Sequence, residues 1–416
     1  MAAPRARWVV RWVVMAVGAV GVALVADGLL LSATAGERSA ESRAPRIDYV
    51  EPLKLQPQKN DAATIWYDDF DEAASPKRYA EGGGELTERE RFGSAGMSLE
   101  MRYAKGSRGK GGRKVFFGDS PTYTRQTVRR DEVFDDVYWR IYVKHQEGWT
   151  GGGPAKLSRA TSLVPPGWRQ AMIAHVWSSG EALTLDPASG VRDGKVVTTS
   201  YNDFENLHWL GNKPVSHFLL HSAEESGRWV CVEARARLNT PGQRDGVQQL
   251  WIDGRLESER TKLDWRGTFE GRGINAVFLE AYWNRGSPVD QSRWVDLFVV
   301  SQEPIGPVVC PRNPTFVRTA YRGQGDAGKW EVEISAGESI ERFAKSGKLD
   351  VVWRSHALDP GESVDVTKAK GKFGGSRRGR ADLANGETHY VRIREVGGHA
   401  KWSDWHQPFM TGSAKE

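Results

Sequence analysis

Three stretches of alternating residues gather the side chains from which a chemical site could be assembled. In 137–143, Val137, Trp139, Ile141 and Val143 share one face, and Tyr138, Arg140 and Tyr142 share the other. In 170–177, Ile173, His175 and Trp177 lie together. In 276–284, Val277, Leu279 and Ala281 form an apolar face opposed by Phe278, Glu280, Tyr282 and Asn284. Successive strand side chains point to opposite sides of a sheet, so each set belongs to one surface. Aromatic faces stack on sugar rings, and Arg, Glu and Asn bond hydroxyls or carboxylates. Tyr138, Tyr142, Trp177, Glu280 and Asn284 are therefore candidate sugar contacts. Arg140, His175 and Tyr282 are candidate catalytic groups, with Lys156 from Gly153-Pro-Ala-Lys-Leu157. Abstraction of a proton beside a carboxylate needs a cation to neutralise that carboxylate, a base, and an acid for the leaving oxygen. The plainer reading stands beside this one. A strand histidine is equally at home as a hydrogen-bonded structural residue, and a solvent-side tyrosine needs no ligand.

Strands must position these groups. Besides the three stretches, Trp229 to Leu238, Gln248 to Ile252 and Trp294 to Val300 alternate. Between the strands lie Gly151-Gly152-Gly153-Pro154, Pro165-Pro166-Gly167, Asp186-Pro187 and Asn239-Thr240-Pro241-Gly242. No stretch has the period of a long amphipathic helix. The expectation is an all-β chain, with a two-sheet antiparallel sandwich over 61–308. At 416 residues the chain exceeds one ordinary domain. A mean hydropathy of -0.55 excludes a multispan membrane protein, and two cysteines exclude a disulfide-rich scaffold or a Cys-ligated zinc module.

The first 36 residues read as a leader. A basic start with Arg5, Arg7 and Arg11 precedes the apolar run Trp12 to Ala26, and Ala33-Thr34-Ala35 offers a cleavage site. An uncleaved N-terminal anchor is the alternative, and the only membrane contact expected. Either places the folded part outside the cytoplasm: secreted, periplasmic or at the cell surface. Residues 37–60 read as a linker. The net charge of +5 divides into +2 over 1–36 and +4 over 309–416, which leaves the middle near neutrality. The basic pI is thus a property of the ends, and no nucleic-acid partner is expected.

The order of motifs in 61–308 resembles the concanavalin-like lectin and glucanase jelly roll, and within it the alginate- and glucuronan-lyase type of polysaccharide lyase. The resemblance is carried by Trp66-Tyr-Asp-Asp-Phe70, Gly96-Met-Ser-Leu-Glu100, Arg228-Trp229-Val-Cys-Val-Glu233, Leu238-Asn239-Thr-Pro-Gly242, Asp245-Gly246, Trp251-Ile-Asp-Gly254, Phe278 to Asn284 and Arg293 to Val300. It implies a curved sheet forming a groove for a polysaccharide, anionic for the lyases. Lys156 matches the lysine of their Gly-Gly-Lys-Leu-Pro-Gly stretch. Their Ser-x-Arg and Tyr-x-Tyr pairs have no counterparts in Ala171 to Trp177 and Leu183 to Asp186. The Glu-x-Asp-x-x-Glu string of jelly-roll glucanases is absent, so a glycosidase is the weaker enzyme reading. Sandwiches of this type often tie first strand to last through calcium, for which Asp69 (or Asp68) and Asp296 are candidates; no other cofactor is indicated. Arg102, Lys105, Arg108, Lys110, Arg113 and Lys114 form an acid-free run, read as a solvated loop or as a basic lip above the groove. Cys231 and Cys310 could pair outside the cytoplasm.

Residues 309–416 follow a boundary marked by Pro304, Pro307, Pro311 and Pro314. They resemble a fibronectin type III domain, a smaller immunoglobulin-like β-sandwich. Val351-Val-Trp353 suits its early core tryptophan and Tyr390 its tyrosine corner. Trp402-Ser-Asp-Trp405 resembles a truncated Trp-Ser-x-Trp-Ser motif, with Arg392 and Arg394 as cation partners. Two functions stay open: a polysaccharide lyase acting on a uronate polymer, and a noncatalytic glycan-binding or adhesion protein using the same groove.

Overall fold

A computed structural model describes residues 46–318, 328–337, 349–396 and 402–412. The leader assigned to 1–36 lies outside the described residues. Among those described, no helix is long and apolar enough to cross a membrane.

The chain is all-β, built mostly of antiparallel sheets. The first module packs two of them face to face. The seven-stranded sheet runs, in spatial order, His208–Trp209, Ala182–Ser189, Arg169–Ser179, Lys156–Val164, Ala276–Tyr282, Arg113–Phe116 and Glu81–Gly82. The eight-stranded sheet runs Arg255–Leu263, Gly246–Ile252, Trp229–Arg237, Asp136–His145, Gln291–Ser301, Ser98–Tyr103 and Glu85–Thr87, with Thr64–Asp68 also on Gln291–Ser301. Each strand sends every second apolar residue inward. Trp139, Ile141 and Val143 from one sheet meet Met172, Ala174, Val176, Val277 and Leu279 from the other in one core.

The second module has a six-stranded sheet containing Trp330–Ala336, Val351–Ser355, Thr388–Glu395 and His406–Thr411, and a three-stranded sheet. In the smaller sheet Tyr49–Val50 pairs with Thr315–Val317, which pairs with Val364–Asp365. The segment expected as a linker over 37–60 thus supplies, from 46 onward, a strand to the far module. Ile47 and Val50 are fully buried there, a drive that its low hydrophobic periodicity concealed. The modules share a core: Tyr142, Trp229, Cys231 and Trp294 pack with Val308, Phe316, Trp330 and Trp353. Cys231 and Cys310 are both buried free thiols in it.

Candidate functional site

The outward face of the seven-stranded sheet forms a cleft. Cross-strand register sets two rows of side chains across it. One row is Tyr282, Lys156, Trp177 and Thr184; the other is Lys114, Phe278, Arg159, His175 and Asp186. A register shift between Lys156 and Ser158 turns Arg159, three residues on, to the same side as Lys156. The turn before Lys156 depends on close backbone approach: a Cβ at Gly153 would lie 2.3 Å from His221 Cε1.

The cleft is about 540 Å³ and is lined by Lys156, Trp177, Tyr201, Asn202, Phe204, Trp209, Glu280, Tyr282 and Asn284. Two cations approach the Tyr282 ring, Lys156 Nζ at 4.9 Å from its centroid and the exposed Arg108 guanidinium at 5.7 Å. Part of the basic run therefore does border the cleft. Burial holds the Lys156 pKa below its ordinary value, against the pull of Glu280.

Arg159 is fully buried beneath the cleft. Its Nε donates to Glu280 Oε2 at 2.9 Å and its Nη1 to Asn202 Oδ1 at 2.7 Å. Tyr201 lies over the guanidinium at 5.2 Å. The loop carrying Tyr201 and Asn202 is pinned by Asp203, which accepts from Thr199 N at 2.7 Å and from Asn206 Nδ2 at 2.9 Å. Those bonds lower the Asp203 pKa to about 2.

His175 sits behind the wall. Its Nδ1 is 3.0 Å from the Asp186 carbonyl oxygen, which can only accept, so the proton is on Nδ1 and Nε2 keeps its lone pair. Trp177 and Trp209 cover the ring, with centroids at 4.1 and 5.8 Å. Burial, then the nearby Arg159 charge, pushes its pKa well below the usual histidine value, so it is neutral. Lys213 lies over Trp209 at 5.4 Å and pairs with Asp186 at 2.8 Å.

Of the sequence-derived candidates, Lys156, Trp177, Glu280, Tyr282 and Asn284 line one cavity, and His175 lies directly behind it. Tyr138, Arg140 and Tyr142 lie elsewhere, on the outer face of the eight-stranded sheet. Arg140 is buried and donates to Gly306 O at 2.9 Å and Leu297 O at 3.4 Å; the Tyr142 hydroxyl accepts from Val308 N at 2.9 Å. The Tyr138 ring packs on Trp251. Alternation assigned the three to one surface correctly, but that surface is closed by the second module and the segment leading into it. They cannot touch a ligand in the cleft.

Calcium takes six to eight oxygens, and Asp69 and Asp296 already have partners of their own. Both Asp296 oxygens accept backbone N–H groups, from Phe92 at 2.9 Å and Leu297 at 2.7 Å. Asp69 faces Lys59 at 3.9 Å. Among the described residues no group of three or more His, Cys, Asp or Glu side chains is placed to hold a metal.

Sequence reasoning missed Arg159, Tyr201, Asn202, Phe204, Trp209 and Lys213. Arg159 was hidden by the bulge; the others lie in or beside loops without periodicity. The one available signal was the density of aromatic residues between Tyr201 and Trp209.

No protein-family model matches the chain, and no curated protein matches it. Solved structures similar to it include the alginate lyase vAL-1 from a Chlorella virus, at 11% identity and TM-score 0.40, covering 58% of this chain and 100% of that one. The endo-β-1,4-glucuronan lyase of the fungus Trichoderma reesei follows at 11% and 0.36, covering 62% and 95%. The carbohydrate recognition domain of Emp46p matches at 11% and 0.35, covering 60% and 100%. At these values the likeness carries no residue-level argument, and the site rests on its own geometry.

Proposed function

We propose that the cleft on the seven-stranded sheet binds an anionic, uronate-containing polysaccharide outside the cytoplasm, and that Lys156 and Tyr282 equip it for cleavage by β-elimination. The observation that carries this reading is the Tyr282 ring, with Lys156 and Arg108 both against it, in the lining of an aromatic-walled cleft. A cation beside a uronate carboxylate neutralises it and makes the adjacent proton more acidic. The Tyr282 hydroxyl is the group placed to take that proton or to return one to the leaving oxygen. Trp177, Trp209 and Tyr201 present rings for stacking. His175 acts here as a positioning residue that braces Trp177 and Trp209.

A second reading, noncatalytic glycan binding, is favoured by the fate of Arg159. The guanidinium beneath the cleft is already tied to Glu280 and Asn202, which leaves it no donor pair for a substrate carboxylate.

The test is to incubate the full-length protein, with calcium and with EDTA, with a panel of uronate polysaccharides, following the ultraviolet absorbance of the unsaturated product. A rise on one polymer that Lys156→Ala or Tyr282→Phe abolishes supports elimination. A flat trace with retention on immobilised glycan leaves the binding reading, and absence of both refutes the cleft as a glycan site.

A further inference from the structure

We propose that the cleft continues beyond Trp209 into a second pocket, which binds another acidic sugar of the same polysaccharide chain through its carboxylate. This rests on the reading of the cleft given above and extends it to a different part of the molecule. Trp209 lines both cavities. The second, about 270 Å³, lies where the edges of the two sheets meet: His208–Trp209 at the end of one and Arg255–Leu263 at the end of the other.

Three cations line this pocket, Arg244, Arg260 and Lys262, along with Asp193 and Asp264. Arg260 donates Nη2 to Leu210 O at 2.9 Å and Nη1 to Asn212 O, which fixes its plane against the segment that follows Trp209. Asp264 Oδ1 accepts from Gly267 N at 2.7 Å. Arg244 and Lys262 are exposed and make no ion pair or side-chain hydrogen bond among the described residues. Their charges are therefore available.

The backbone supplies an independent pointer. The ladder between Gly246–Ile252 and Arg255–Leu263 slips between Gly246 and Gln248. At the slip Lys262 takes a φ of 57°, in the left-handed region that a long unbranched side chain occupies only at a cost. A bulge at a sheet edge re-aims side chains, and this one falls within the pocket lining.

Cations accompany both cavities. Lys156 lies against Tyr282 in the first, Lys213 lies over Trp209 while paired with Asp186, and Arg260 and Lys262 line the second. A polyuronate repeats its carboxylate along the chain, so one cation site invites another along its path. Exposed cations of this kind contribute through field and salt-dependent capture.

The test measures binding of a short oligouronate, which fills only the first cavity, and of a longer one that reaches both. The full-length protein is compared with its Arg244→Gln/Lys262→Gln double variant. The expected result is an affinity loss of about tenfold for the longer oligomer, with a shallower salt dependence, and no change for the short one. Lys262→Arg should retain the wild-type preference, and an unchanged thermal midpoint shows that the double variant is folded. Equal binding of the longer oligomer by wild type and double variant overturns the pocket. So does a wild type that binds both lengths equally. If wild type binds neither length, the cleft reading itself fails and the pocket falls with it.

Discussion

The two outer surfaces of the first module make an instructive pair. On the eight-stranded sheet, Tyr138, Arg140 and Tyr142 project from one strand; on the seven-stranded sheet, Phe278, Glu280 and Tyr282 project from another. The inventories are alike, aromatic and charged in alternation, and each surface holds a buried guanidinium. The environments are opposite. Arg140 caps backbone carbonyls under a covering module, with Glu233 opposite it in register accepting from Ile305 N and Gly306 N. Arg159 underlies an open cleft and orders its floor. A polar strand face is thus a site or a joint according to what the rest of the chain lays over it.

Acidification is the largest perturbation that probes this difference. His145, His175, His221, His389 and His406 are buried, and desolvation lowers the pKa of each, to about 3 for His221 and about 4 for His389, from an ordinary 6.5. The unfolded chain binds protons on these rings that the folded chain refuses. Their stabilisation is complete above pH 6.5 and is lost as pH falls towards the folded values. Each contributes about 1.4 kcal/mol per pH unit in that window. Buried Asp296 and Glu233, whose pKa values are raised, act in the opposite sense. Urea unfolding between pH 7 and 4 should show a net fall, shallower in His406→Gln at the joint and in His175→Gln behind the cleft. A slope unchanged from wild type in both variants would mean that the two rings are hydrated.

Arg140→Ala comes next. Removing it leaves the buried Gly306 and Leu297 carbonyls without their donor and takes a nearby positive charge from buried Glu233, at a cost of about 3 kcal/mol in urea unfolding. Glycan retention by the folded fraction should be unchanged. Retention lost with stability intact would reverse the assignment of the two faces.

Glu280→Gln weakens the partner of Arg159. A loss of about 2 kcal/mol is expected, with tighter uronate binding as the guanidinium becomes available. Calorimetric titration with an oligouronate checks the second part, and unchanged affinity would show that Arg159 stays beyond reach of the sugar.

The smallest effect belongs to the second module. Arg392 lies over Trp402 at 4.9 Å and over Trp405 at 4.6 Å, and Arg394 over Trp402 at 4.5 Å. Trp402→Ala should cost about 1 kcal/mol and leave the cleft untouched. A change in glycan affinity would connect this ladder to the site.

Much of this was legible in the chain. Val137 to Val143 and Val277 to Ala281 announce strands and their inward residues, because the two-residue period of a strand is local geometry. The ladder of Arg392, Arg394, Trp402 and Trp405 was readable from its resemblance to a Trp-Ser-x-Trp-Ser motif. Trp177, Glu280, Tyr282 and Asn284 were found because two strands each exposed a polar or aromatic face, and Lys156 because it follows a glycine-rich turn like that of the lyases. The aromatic loop from Tyr201 to Trp209 was not found, since loop geometry has no period to read.

What the sequence determined by itself was the all-β class, the strand faces and the chemical types each face offers. Those follow from backbone sterics and side-chain alternation, which act over a few residues. The tertiary structure decided which face stays open. Tyr49–Val50 crosses to a strand more than 260 residues away, and the shared core closes over Tyr142 and Trp229. A single register slip at Lys156 turned Arg159 to lie beneath the cleft. Such decisions depend on burying apolar surface between distant segments, a drive that is non-directional and leaves no spacing rule in the chain.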